Sequence, residues 1–290
     1  MTRSRPSRDH RPSGPVGDKR VTTRNATFQR WETLLHNRTK RYRAGAILVQ
    51  GVRPISLAVE AGWTVRSWLY RAEGRLSDWA EEMLRSVRAA RYAVSDELMR
   101  ELGDKEEAPE LLAEVETPAD DLSRVHVGPD FLGVVLDRPT SPGNIGSVIR
   151  SVDALGGSAV IVGGHAADAY DPKSVRASTG SLFGLPVVRV SSAREVLSWV
   201  ERVRAEGVPL RLVATDEDGA VELAEQDLRG PTLVLTGNET TGLSNRWREE
   251  ADALVHIPMG GTASSLNAAS ATTVVLYEAS RQRRLDRGPA

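Results

Sequence analysis

TSPGNIGSVIR, Thr140 to Arg150, follows a short apolar run, Phe131 to Leu136. An apolar run of that length, bounded by turn residues, reads as a buried strand. Ile145, Val148, Ile149, Val152 and Leu155 then recur at helical spacing, so the segment is a strand, a glycine turn and a helix start. Gly143 and Gly146 suit a tight turn, with Asn144 read as the helix N-cap. Arg150 lies six residues beyond Asn144 in an otherwise apolar helix start. From there a guanidinium fork can reach past the strand ends to a phosphate. The glycines are spaced GxxG rather than GxGxxG, and no acidic ribose ligand follows, which argues against a dinucleotide-binding turn.

The same alternation continues outward from this point. Ala159 to Gly164, Pro186 to Val190, Leu210 to Thr215, Thr232 to Gly237 and Ala253 to Pro258 read as strands. Ser192 to Ala205 and Leu266 to Arg284 read as helices. Continuous apolar strands alternating with helices predict an α/β fold with a parallel sheet covered on both faces. Two of these strand ends carry unusual segments. LTGNETTGLS (Leu235 to Ser244) crowds small polar residues around Glu239, at the carboxyl end of a strand where open α/β sheets bind ligands. Gly237 there is read as allowing a flat ligand close to the backbone. IPMGGTASSLNAASA (Ile257 to Ala271) ends a strand, forms a flexible loop and opens a helix at Ser265, Leu266 and Asn267. Ser264 or Ser265 is read as that helix's N-cap, and the small residues Ala268 to Ala271 permit close packing.

The front half reads as a smaller α/β domain. Phe28, Trp31, Leu34 and Leu35 mark a helix face, followed by the basic cluster Arg38, Lys40, Arg41 and Arg43. Ala46 to Gly51 and Val65 to Tyr70 read as strands, Pro54 to Ala61 as a helix, and Trp79 to Val87 as another. Ser95 caps a last helix carrying Leu98, Met99 and Leu102. Met1 to Arg24 is rich in Arg, Ser, Pro and Gly, a composition predicted to be disordered. The polar stretch Thr117 to Pro129 is the expected boundary, giving a basic arm at 1–24, a small domain at 25–118 and a larger one at 125–287.

Composition excludes several chemistries. Cysteine is absent, so there is neither a disulfide framework nor a thiolate metal site. The five histidines are scattered, and no metal is expected; His256, inside an apolar strand, reads as an ordinary partly buried histidine. Neither GxSxG nor GxxxxGK[ST] occurs. No apolar run approaches ~18 residues and the N-terminus lacks the apolar core of a secretion signal, so a cytoplasmic protein without membrane association is expected. The net charge of −1 conceals twelve Lys or Arg against three acidic residues in the first 43, which leaves −10 for the remainder. A basic leading arm on an acidic body points to an anionic partner such as nucleic acid.

The three unusual segments, with KSVRASTGSLFGLPV (Lys173 to Val187) between them, together resemble the SPOUT superfamily of knotted methyltransferases. The likeness is to its tRNA/rRNA ribose 2′-O-methyltransferase branch and covers about Phe131 to Ala279. LVQGVRPISLAVEAG and VSDELMRELG are similar to the L30e-type RNA-binding domain that often precedes it. The resemblance implies a C-terminal trefoil knot clasping S-adenosylmethionine, and a homodimer through the C-terminal domain. It also implies an RNA partner, expected to be 23S rRNA with antibiotic (avilamycin) resistance as the outcome. Transfer RNA methylation, or RNA binding without catalysis on the same fold, are the alternatives.

Carried over by position, Gly237, Ile257 and Leu266 would hold adenine and ribose through backbone groups. Leu235, Thr236, Pro258, Met259 and Ser265 would line the same pocket. Asn144, Arg150, Glu239, Ser265 and Asn267 match the catalytic centre. RNA contacts are expected from Arg38, Lys40, Arg41, Arg43 and Arg53. The family's usual general base falls on Arg150, yet a guanidinium stays protonated across the ordinary pH range of proteins. Arg150 is therefore read as an electrostatic clamp on phosphate and developing alkoxide, a base only if burial or a neighbouring positive charge intervenes. Asn144 would orient Arg150 or the ribose, and Ser265 with Asn267 would fix the loop.

Overall fold

In the computed structural model, residues 18–103, 106–263 and 265–286 are described. They form two sheets. The first holds β1 (Lys19–Val21), β2 (Ala46–Gln50), β3 (Val65–Arg71), β4 (Ala90–Val94) and β5 (Leu111–Glu116), in the order β1-β4-β3-β5-β2. β4 runs parallel to both β1 and β3, while β5 is antiparallel to β3 and β2. Its helices are α1 (Ala26–His36), α2 (Arg38–Ala44), α3 (Val52–Glu60), α4 (Asp78–Ser86) and α5 (Asp96–Gly103).

β1 corrects the expectation that the first 24 residues are disordered. Lys19 to Val21 pair with Tyr92 to Val94, and Val21 is buried in a cluster with Phe28, Trp31 and Val94. Residues 1–17 of that arm lie outside the described residues. β4 and β5, absent from the sequence reading, complete the sheet. β5 is disguised by Glu114, a carboxylate in an apolar strand, 1 % exposed. Such a charge survives burial only when paired and fully hydrogen-bonded; Glu114 accepts from Arg30 Nη2 (2.8 Å), Trp31 Nε1 (3.2 Å) and Ser67 Oγ (2.5 Å).

The second sheet holds β6 (Leu132–Asp137), β7 (Ala159–Gly163), β8 (Val187–Val190), β9 (Arg211–Thr215), β10 (Val221–Glu222), β11 (Thr232–Thr236) and β12 (Ala253–His256). All pairs are parallel, in the order β10-β12-β9-β11-β6-β7-β8. The helices are α6 (Pro142–Ala154), α7 (Pro172–Ala177), α8 (Ala193–Ala205), α9 (Asn245–Glu250) and α10 (Ala268–Asp286). Alternate residues of β6 enter opposite layers. Leu132, Val134 and Leu136 join Ile145 and Leu276 on one face; Val135 joins Trp199 and Trp247 on the other. The chain steps outward from β6 to β8, resumes at β9 on the far side, and inserts β11 between β9 and β6. That reversal opens a crevice at the strands' carboxyl ends, the place where such sheets bind ligands. His256 is half-buried, its Nδ1 2.8 Å from the Gly219 carbonyl oxygen.

The domains meet along a seam built by α2, α3 and the segment around α7. Arg41 and Asp168 form an ion pair with both side chains 3 % exposed, Nη2 to Oδ2 2.7 Å. Arg41 also donates to the Leu34 carbonyl, and the Tyr42 hydroxyl donates to Asp168 Oδ1 at 2.8 Å. Burial, then the Asp168 charge beside it, pushes the Tyr42 hydroxyl's pKa upward. Trp63 packs edge-on against Phe183, centroids 4.9 Å apart. Gly180, at φ +100°, sits where a Cβ would come within 2.5 Å of Leu57 Cδ1. No helix among the described residues is long and apolar enough to cross a membrane.

Candidate active site

The site grows from the end of β6. Asp137 closes the strand, and Arg138 takes φ 52°, turning the chain. Ser141 then caps α6, its Oγ accepting from Asn144 N at 3.3 Å, with Pro142 in the first helical turn. Pro is tolerated there because the first N–H groups lack partners anyway. The N-cap is thus Ser141 rather than Asn144, which releases the Asn144 side chain for other work. Its Nδ2 donates to Glu239 Oε1 at 2.9 Å. Its Oδ1 accepts from Asn267 Nδ2 at 3.2 Å. The third loop supplies Asn267, whose Oδ1 accepts from Ala269 N (2.9 Å) and Ser270 N (3.4 Å) and so caps α10. That cap replaces the expected serines; Ser264 lies outside the described residues.

Glu239 is fixed from a second side by Thr140, whose N and Oγ1 donate to Oε2 at 3.1 and 2.9 Å. Partial burial pushes its pKa up, but the bonds from Asn144 and Thr140 outweigh this and hold the carboxyl below its ordinary range. Charge-assisted bonds of this kind favour the ionised form.

Its loop is shaped by residues to which the sequence reading assigns no role, among them Asn238, a departure from the family's pattern. Asn238 pairs its backbone with Gly242 and donates from Nδ2 to Arg138 O at 2.6 Å. Its Oδ1 accepts from Thr240 N and Thr241 N, the local bonding that makes Asn a turn residue. Asp137 Oδ2 accepts from Ser244 N at 2.9 Å. A Cβ at Gly237 would stand 2.4 Å from Gly242 C and Leu243 N. The close approach that requires glycine there is by the loop's own backbone.

A cavity of about 240 Å³ lies beside this network. Thr236, Gly237, Ile257, Met259, Ser265 and Leu266 line it, with the small Ala268 and Ala271 on one wall. Gly237 and Ile257 are the first residues past β11 and β12, where ladder pairing has ended. Met259 and Leu266 are 40 % and 39 % exposed, unusual for large apolar groups unless a partner covers them. Glu217 and Asp216 stand in the lining too, Asp216 paired with Arg248 at 2.9 Å. Apolar walls, free strand ends and carboxylates fit a ligand with a flat ring and a cationic tail.

Two expected lining residues are placed elsewhere. Leu235 is fully buried in the core, packed on the opposite layer, because residues alternate along β11 and its neighbour Thr236 takes the cleft side. Pro258 is exposed and outside the cleft wall. Ser265 is exposed at the cleft. Arg150 is exposed on α6 and makes no hydrogen bond or ion pair among the described residues; Asn144 turns to Glu239 and Asn267 instead of orienting it. Of the basic residues expected on RNA, Arg41 is buried in the seam, and Arg38 donates from Nη1 to Ala166 O at 2.6 Å. Their charges close the domain interface because α2 faces the second domain. Lys40, Arg43 and Arg53 are exposed.

Fold and site together define an α/β methyltransferase domain preceded by a smaller binding domain. Residues 132–277 match the SpoU rRNA Methylase family and residues 25–113 the SpoU L30e-like domain. The chain belongs to the SpoU rRNA methylase family. It is 62 % identical over 266 residues to the 23S rRNA (uridine(2479)-2′-O)-methyltransferase of Streptomyces viridochromogenes, covering 91 % of this chain and 93 % of that one. The crystal structure of the SpoU methyltransferase AviRb from that organism, in complex with AdoMet, matches with TM-score 0.87 over 90 % of this chain and 98 % of that one, at 62 % identity. An AdoMet-bound rRNA methyltransferase from Sinorhizobium meliloti matches with TM-score 0.81 at 27 % identity, over 91 % and 97 %.

Proposed function

We propose that this protein is an S-adenosylmethionine-dependent ribose 2′-O-methyltransferase acting on a uridine of 23S rRNA in the cytoplasm, with avilamycin resistance as the outcome. The observation that supports it most is the convergence of three separated loops, through Asn144, Glu239 and Asn267, beside one apolar cleft. The 62 % identity to a 23S rRNA uridine methyltransferase supports the substrate. The chain divides into a basic leading arm that ends before β1, an RNA-binding domain from β1 to 118 and a methyltransferase domain at 125–287. A trefoil knot in the latter and a homodimer complete the reading. In support of the dimer, α10 exposes Tyr277 (53 %) and Val274 (37 %) on a helix packed against α6.

S-adenosylmethionine, when bound, supplies a methyl group already activated on a sulfonium. Gly237, Ile257 and Leu266 would hold it, with Thr236, Met259 and Ser265 beside them. This chain's own work is then alignment, worth ~7–11 kcal/mol in well-oriented systems, and control of the hydroxyl proton. The chain Asn267 to Asn144 to Glu239 has a fixed donor direction, which locks the amide of Asn144 and ties the three loops into one frame. Arg150 stands exposed on α6, the helix that carries Asn144, and acts as a charge rather than as a base. It grips the phosphate beside the target ribose and stabilises the developing alkoxide, while the hydroxyl proton leaves to solvent water at this open site.

Tritiated methyl transfer to 23S rRNA, followed by mass-spectrometric mapping, tests the reading. The expected product is one 2′-O-methyluridine. Arg150→Ala is expected to lower kcat by roughly 10²–10³, the usual loss for one transition-state charge donor. Arg150→Lys retains a charge without the fork and falls between; full activity in that variant contradicts a bidentate clamp.

A further inference from the structure

A second cavity, also about 240 Å³, lies on the seam between the two domains. Leu35, Leu48 and Leu112 of the first domain and Pro172 and Val175 of the second line it. Gln50, at the end of β2, reaches into this lining with a buried Oε1 that has no hydrogen-bond partner. Folded proteins seldom leave such an acceptor bare, and each instance asks for an explanation. Arg53, also in the lining, is exposed and makes no ion pair among the described residues. Thr179 completes the wall at φ 49°, a backbone conformation uncommon for non-glycine residues and concentrated at ligand sites.

We propose that this seam cavity receives a single unpaired nucleobase of the substrate RNA. The inference rests on the RNA-methyltransferase reading above and names a recognition site for that substrate away from the reacting centre. Apolar walls from both domains suit the faces of a flat ring. The bare Gln50 Oε1 suits an N–H on the base edge, and Arg53, with Arg176 also in the lining, suits the adjoining phosphate. Extruded bases are the usual sequence-bearing features that proteins read in RNA.

The cavity's far wall links it to catalysis. Val175 belongs to α7, and α7 lies so close to α6 that a Cβ on Gly146 would stand 2.2 Å from Ser174 O. Ser181 Oγ donates to Asp153 Oδ2 of α6 at 2.6 Å. A base seated against Val175 thus registers the RNA against the helix that carries Asn144 and Arg150. This gives a task to the segment Lys173 to Val187, otherwise outside the active site.

Leu35→Trp fills the cavity from a half-buried position, and Gln50→Leu removes the acceptor at nearly constant volume. Both are assayed in the full chain with a 23S rRNA transcript, alongside S-adenosylmethionine affinity by calorimetry and thermal melting. Each variant is expected to raise KM for the transcript about tenfold, or ~1.4 kcal/mol, with kcat and cofactor affinity within about twofold. A transcript containing 4-thiouridine is expected to crosslink to a peptide holding Gln50 or Leu112 in the wild type and not in Leu35→Trp. An unchanged KM in folded variants overturns the proposal. So does an effect seen only with assembled large ribosomal subunits, which would place a protein in the cavity. If Leu35→Trp does not fold, Gln50→Leu and the crosslink decide. If the wild type transfers no methyl group to RNA, the functional reading fails, while the crosslink still tests the cavity.

Discussion

Two polar clusters organise this molecule, and they differ in a way that separates architecture from chemistry. At the seam, Arg41, Asp168 and Tyr42 are enclosed, and their charged atoms are satisfied by one another and by the Leu34 carbonyl. At the active site, Asn144 bonds both Glu239 and Asn267 while all three remain exposed or half-buried, and Arg150, on the same helix as Asn144, has no partner among the described residues. A closed cluster has nothing left to offer a ligand. An open one holds its frame and keeps spare valences for substrate. The residue types are similar; enclosure decides the role.

The sharpest way to break this contrast is at the seam. Asp168→Ala removes the carboxylate bonded to the buried Arg41 guanidinium and leaves it only Asp171, 3.7 Å away, a change expected at the lower end of the about 3–5 kcal/mol typical of breaking a buried pair. For a chain of this size about 2–4 °C of Tm accompanies each kcal/mol, so a fall of roughly 10 °C is expected by calorimetry. Methyl-donor affinity at 20 °C, in protein that is still folded, is expected to stay near wild type. A loss of donor binding without a loss of Tm would mean that the seam cluster acts on the site directly.

Why the seam was illegible while the site was not follows from the same contrast. Arg38 and Arg41 sit in a run of basic residues, and a charge run normally faces solvent. Only the tertiary placement of Asp168, 127 residues further on, draws Arg41 inside. The site announces itself locally, because three loops rich in Gly, Ser, Thr and Asn at strand ends are rare outside function. Its detailed assignments depended on geometry that spacing does not carry. Ser141 and Asn267 proved to be the caps, and Leu235 proved to point into the core. Glu114 concealed a whole strand, since a carboxylate in LLAEVE reads as an interruption until Arg30, Trp31 and Ser67 are seen around it. Asn238 could have been found: an Asn two and three residues before the N–H groups that it accepts from is an ordinary turn signal.

At the active site the next largest effect is expected from Gly237→Ala. The added methyl meets the backbone of Gly242 and Leu243 at 2.4 Å, and backbone cannot swing aside as a side-chain tip would. The loop carrying Glu239 must shift, which moves the cleft wall and the carboxylate together. Donor affinity is expected to drop more than tenfold, or ~1.4 kcal/mol, with Tm lowered by only a few degrees because residues 237–242 lie outside the core and the loop is anchored in it through Leu243. Wild-type affinity in this variant would show that the folded-back loop is not needed for the cleft.

The smallest expected effect sharpens the comparison from the side of pH. Burial alone would raise the Glu239 carboxyl's pKa, but the bonds from Asn144 Nδ2 and from Thr140 N and Oγ1 set it below the ordinary value. A group with a lowered folded pKa adds stability that is present above its unfolded pKa, near ~4.3 for Glu, and is lost as pH falls through the lower folded value. Between pH 5 and 8 the three-loop frame should therefore show no titration from Glu239, and donor affinity should carry no acidic limb in that range. An NMR titration of the Glu239 side-chain carboxyl carbon is expected to give a midpoint below ~4.3, moved upward in Asn144→Ala as one of the donors is removed. A midpoint at or above the ordinary value in the wild type would mean that the amide of Asn144 does not face the carboxylate. The open cluster would then lack the fixed donor direction that distinguishes it from a loose set of surface side chains.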